Sequence, residues 1–142
     1  MKYFVLTDDE LQYYAQETIY VFEHTKRDRP YKDIQTLKEF AAKCQFIELK
    51  DRHIYWYKGR DVEDIPVNEL EEKIKDEQKQ LIDITKKDLV ELKSRFSETI
   101  KPFVFPDKVL KCSYAYEPEW NDILVVMEDE HKYFGIYYST EA

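Results

Sequence analysis

Apolar residues along this chain recur either at every second position or at every third and fourth, and the two periods mark out different elements. The run Lys2–Leu6 (KYFVL) reads as a short strand. Thr7 follows as a helix cap, with Glu10 placed to complete a capping box. Leu11, Tyr14, Ala15, Thr18 and Phe22 then share one helical face, although Thr18–Phe22 (TIYVF) is also strand-like, so the helix end near His24 stays open. Beyond the polar loop Lys26–Pro30, a second helix is expected over Tyr31–Cys44, with Ile34, Leu37, Ala41 and Cys44 facing inward. Phe46–Leu49 and Arg52–Tyr57 read as a hairpin turning at Lys50-Asp51, and Gly59 stops its second strand.

Pro66 suits a first helical turn, where its missing N–H would be unpaired anyway. The stripe Leu70, Ile74, Leu81, Leu89, Leu92, Phe96, Ile100 follows to Lys101. One continuous helix there would span on the order of 50 Å. The stripe thins at KDEQKQ, and TKKD at Thr85 resembles a second cap, so two helices are the alternative. One helix is favoured because no Gly or Pro interrupts the stretch. Pro102 ends it. Val109–Tyr116, Ile123–Met127 and Tyr133–Tyr138 read as three antiparallel strands, the last two apolar on both faces and therefore central. The expectation is an α+β fold in one domain, 1–142. Its antiparallel sheet has about five to six strands, from two hairpins and the N-terminal strand, packed against two short helices and one long one.

Composition narrows the chemistry. Only Gly59 and Gly135 are glycines, which removes phosphate-cradling loops and dinucleotide turns. Cys44 and Cys112 stand far apart with no metal spacing, so two free thiols in a reducing cytoplasm are expected. No signal peptide is read at Met1–Thr7, and no apolar run approaches the roughly 18 residues of a membrane span. His24, His53 and His131 are scattered, and Ser94, Ser97, Ser113 and Ser139 sit in no nucleophile motif. A Cys112 thiolate paired in space with His53 or His131 is the remaining catalytic idea; no cofactor or metal is called for by the sequence.

Charge changes the picture more. Formal net charge is −8, and it is striped: −4 over residues 1–23, +5 over 24–60, −6 over 61–83, +3 over 84–115 and −6 over 116–142. The stripes either neutralise one another across the fold or leave an acidic face, formed by the C-terminal strands and Asp61–Asp64, for a cationic protein. Glu117, Glu119, Asp122, Glu128, Asp129 and Glu130 all lie in the last segment, with Trp120 among them. Trp anchors interfaces and accepts cations on its face. These seven are the candidate partner-binding residues. Glu128-Asp129-Glu130-His131 also resembles a cation site in composition, but lacks the spacing and glycine of a calcium loop, so a polar hairpin turn is preferred.

Small size, acidity, many aromatics and no catalytic signature are similar in type to small bacterial immunity proteins that neutralise a toxin domain, with no motif carrying the likeness. The leading expectation is therefore a cytoplasmic acidic protein that covers a basic partner, such as a nuclease-like toxin domain. A homo-oligomeric adaptor pairing through helix 66–101 is the alternative. A third reading is a nucleic-acid module using Lys50, Arg52, Tyr55, Tyr57, Lys58 and Arg60, where rings and cations alternate as in single-strand grooves. The net charge of −8 opposes that last reading.

Overall fold

The computed structural model describes residues 1–7, 17–26, 34–51, 56–57, 60–61, 65–77, 81–101 and 103–140. Its centre is a six-stranded antiparallel sheet in the order β1-β2-β8-β7-β6-β5. The strands are β1 (Lys2–Thr7), β2 (Glu17–Thr25), β5 (Ile82–Asp83), β6 (Lys111–Tyr114), β7 (Asp122–Glu128) and β8 (Lys132–Thr140). A separate two-stranded ribbon pairs β3 (Trp56–Tyr57) with β4 (Arg60–Asp61). Three helices lie among the described residues: α1 (Leu37–Asp51), α2 (Val67–Glu77) and α3 (Lys86–Phe96). The α+β class with an antiparallel sheet holds.

Alternation along β7 and β8 sorts side chains onto two faces, as their doubly apolar sequences require. Ile123, Val125, Met127, Phe134, Ile136 and Tyr138 join Leu92, Phe96 and Ile100 in one core under α3. Leu124, Val126, Tyr133 and Tyr137 join Leu37, Phe40, Ala41 and Cys44 in a second core under α1. Gly135 permits that second contact to be close. A Cβ there would lie 3.2 Å from Phe40 Cε2 and 3.5 Å from Cys44 Sγ.

A third cluster lies behind α1, where Ala42 and Leu49 meet Ile65, Leu70 and Ile74. Thus α1 is buried on two sides. This corrects the expected strand at Phe46–Leu49: its apolar residues continue the helix, because α2 needs a partner on α1's outer side. The helix starts at Leu37 rather than Tyr31. Thr36 caps it, its Oγ1 accepting from the Glu39 N–H at 3.2 Å and donating to Glu39 Oε1 at 3.1 Å. Residues 31–33 lie outside the described residues.

Two other expectations are corrected. Thr18 and Phe22 belong to β2, whose nine residues pair along β8, so the strand-like reading of that run wins. Thr7 pairs with Thr18 in the ladder, and the helix it was expected to cap lies outside the described residues. Glu10, Leu11, Tyr14 and Ala15 fall outside the described residues. The stretch 66–101 is two helices. α2 begins directly after Pro66 and packs on α1, whereas α3 covers the opposite face of the sheet. The chain crosses between faces at the sheet edge, where β5 pairs with β6 and the Ile84 N–H donates to the Cys112 carbonyl at 2.9 Å. Thr85 then caps α3, accepting from the Asp88 N–H at 3.2 Å.

Candidate functional site

The strongest candidate is the turn between β6 and β7. The Glu119 N–H donates to the Asp122 carbonyl at 3.0 Å, and the Asp122 N–H returns a bond to the Glu119 carbonyl at 3.3 Å. Trp120 and Asn121 are left as a two-residue loop. The Asn121 carbonyl also accepts from the Thr140 N–H at 3.1 Å, which ties the loop to β8. Trp120 is therefore held on a cross-braced turn and is 70% exposed. A residue of this size usually buries most of its surface. Glu117 and Glu119 are exposed beside it in the chain.

Asp122 belongs to the interior support of this turn rather than to its surface. Its Oδ2 accepts from the Tyr137 hydroxyl at 3.0 Å, and its Oδ1 accepts from the Tyr116 hydroxyl. Burial, then the Asp122 charge and hydrogen bond, push the Tyr116 phenol far above its ordinary value, so it stays a donor.

The other three acids lie at the far end of β7, roughly 20 Å away at the rise of a strand. Glu128 is mostly buried and pairs with Lys26 at 2.6 Å. Lys26 Nζ also donates to the Asp129 carbonyl at 2.7 Å and lies 4.9 Å from the centre of the Tyr133 ring. Asp129 closes the β7–β8 turn, its Oδ1 accepting from the backbone N–H groups of His131 and Lys132, both at 2.7 Å. Partial burial raises its carboxyl, but those two donors and the Lys132 and His131 charges outweigh that and hold it below its usual value. Glu130 is exposed. Among the described residues no three His, Cys, Asp or Glu converge as a metal-holding group.

The seven residues singled out from sequence thus divide into a Trp120 end and a Glu130 end. Asp122, Glu128 and Asp129 hold their own turns. The charge stripes also meet across the fold: Lys26 pairs with Glu128, and Lys43 of α1 with Glu71 of α2 at 3.7 Å, while Lys132, the one base of the last stripe, pairs with Glu23 at 3.0 Å. Sequence reasoning missed Tyr116, Tyr137 and Lys26. The short span from Tyr116 to Asp122 was the only local hint; the other partners come from distant strands.

The remaining candidates are less developed. Lys50 lies in the last turn of α1. Tyr57 and Arg60 pair through their backbones in the β3–β4 ribbon. Arg52, Tyr55 and Lys58 lie outside the described residues, as does His53. The leucine stripe of the helical region is used within the fold, with Leu92, Phe96 and Ile100 buried against the sheet and Leu89 packed beside them. Cys44 and Cys112 are free and buried in the two different cores, on opposite faces of the sheet. Burial pushes the Cys112 thiol up to about 12 and that of Cys44 well above its ordinary value, so neither is a thiolate at neutral pH. His131 is exposed and stands 4.0 Å from Glu130.

An open groove of about 620 Å³ lies beside the β5 edge, lined by Thr36, Lys38, Lys111, Asp83 and Ser113. Among the described residues no helix is long and apolar enough to cross a membrane. Compared with protein-family models, curated proteins and solved structures, the chain matches none.

Proposed function

We propose that this chain is a small acidic binding protein of the cytosol whose Trp120 turn grips a basic protein. A nuclease-like toxin domain neutralised by an immunity protein is the partner type that fits best. The observation that carries the reading is the exposure of Trp120 on a turn braced from both sides. Its backbone is already ordered, so little freedom is lost when a partner closes over the ring. A partner Lys or Arg would lie over the indole face, with Glu117 and Glu119 supplying charge at the rim. Asp122, with Tyr116 and Tyr137, would hold the turn in shape. Glu130 would extend the contact only for a partner broad enough to reach the far end of the sheet.

The test is capture of partners from native lysate by immobilised wild type and by Trp120→Ala, each at low and moderate salt. A basic protein retained by wild type, released as salt rises and absent with Trp120→Ala, is the expected result. Identical capture by both forms would remove Trp120 from any interface and overturn the reading.

A further inference from the structure

The two edges of the main sheet are built differently. One edge is β5, only two residues long, and too short to accept a strand. The other is β1, six residues in unbroken register with β2. Among the described residues only β2 pairs with β1. Natural edges are usually blunted by short length, proline, bulges or charge. β1 has no proline, no glycine, no bulge and no acid, and its sole charge is Lys2 at the start. Tyr3, Phe4 and Val5 are 43%, 44% and 37% exposed. Tyr3 stacks toward Tyr20 and Phe22 on the α1 face, at centroid distances of 6.2 and 6.1 Å. Phe4 meets Phe103 at 5.8 Å on the α3 face.

From this edge we infer that β1 pairs antiparallel with β1 of a second copy of this chain, joining the two sheets into one. A two-fold axis perpendicular to a continuous sheet keeps each face on its own side. Directly opposed residues must then share a face, so each pair must have the same parity along the strand. Centring the axis on Phe4 meets that condition. The two Phe4 residues oppose one another on the α3 face, and Tyr3 opposes Val5 of the other copy on the α1 face, twice. All three central pairs are apolar, aromatic or β-branched, the kinds that stabilise cross-strand contact.

A second copy fits this edge for two further reasons. No like charges meet in those three pairs, although each copy carries −8 overall. The assembly also closes, because each copy uses its one long edge and β5 cannot continue the ladder. The contact is narrow compared with a stable interface, so dimerisation depends on concentration. Salt strengthens it by screening repulsion between two acidic bodies. That is opposite to the salt response of a basic partner at the Trp120 turn, so the two proposals fail separately.

Sedimentation velocity on the full chain, over a wide concentration range at low and high salt, tests this. The expected result is a mass rising from 17.3 kDa toward twice that value, sooner at high salt. Phe4→Lys should stay monomeric while its circular dichroism melt remains cooperative. Should Phe4→Lys not fold, Phe4→Cys gives an independent reading. Opposed Cα atoms would lie about 4.5–5.5 Å apart, within disulfide reach. With oxidised glutathione as oxidant, Phe4→Cys should cross-link to a covalent dimer far faster than Trp120→Cys, whose exposed thiol reports random collision. A chain that remains at 17.3 kDa throughout, or a Phe4→Cys rate no higher than the Trp120→Cys rate, overturns the proposal and leaves the edge to a strand of another protein.

Discussion

Glu119 and Asp122 close the same turn, yet the structure gives them opposite roles, and replacing each in turn separates binding from folding. Asp122→Ala removes the acceptor of two phenol hydroxyls, one of them on Tyr137, which is 2% exposed. A hydrogen bond to a charged acceptor contributes about 1.5–3 kcal/mol. Against the sum of two stands the relief of a partly buried carboxylate. The net loss should be roughly 2–4 kcal/mol. For a chain of this length that lowers the thermal midpoint by about 6–15 °C. Glu119→Lys changes an exposed side chain and should stay within about 0.5 kcal/mol of wild type. Urea titration followed by circular dichroism reads both, and an unchanged m-value with a shifted midpoint identifies a loss of native stability. A double-mutant cycle with Tyr116→Phe should show a coupling of about 1 kcal/mol or more. The reasoning is refuted if Asp122→Ala is as stable as wild type, or if Glu119→Lys unfolds the chain equally.

Two further outcomes are expected. Stability should fall as pH rises above about 9, because unfolded thiols and phenols ionise near 9 and 10. Burial keeps the folded Cys112 protonated up to about 12 and raises the phenols of Tyr114, Tyr116, Tyr133 and Tyr138. The native state then holds more protons than the unfolded one, so the stabilisation is complete below pH 9 and drains away across the alkaline range. A urea midpoint no lower at pH 10.5 than at pH 8 would contradict this. Gly135→Ala should destabilise by about 1–3 kcal/mol, since the new methyl meets Phe40 Cε2 at 3.2 Å. Trimming the ring with Phe40→Leu in the same chain should recover part of that loss, measured by the same titration.

The sequence by itself determined the elements whose pattern is set by immediate neighbours. The strands near 2–7, 111–114, 122–128 and 132–140 were legible because alternation, or a run apolar on both faces, already states what a strand will bury. The central place of β7 and β8 followed from the same runs. The inward face of α1 was legible at Leu37, Ala41 and Cys44, and Ile34, read as part of the same helix, is buried just ahead of it.

Only the tertiary structure decided the rest. α1 packs on the sheet with one side and on α2 with the other, so its apolar residues encircle it and Phe46–Leu49 resembles a strand. The stripe from Leu70 to Ile100 is unbroken by Gly or Pro in the sequence, but its first part packs on the outer side of α1 and its last part on the opposite face of the sheet, and the chain turns at β5 to reach both. For the site, residue type was legible and exposure was not. Six acids near one tryptophan look alike in a sequence. Long-range partners decide which carboxylate is held inside, as Tyr137 does for Asp122 and Lys26 for Glu128. Trp120 stays outside for the converse reason: the hydrogen bonds of Glu119, Asp122 and Thr140 fix the turn, and among the described residues no element covers the ring.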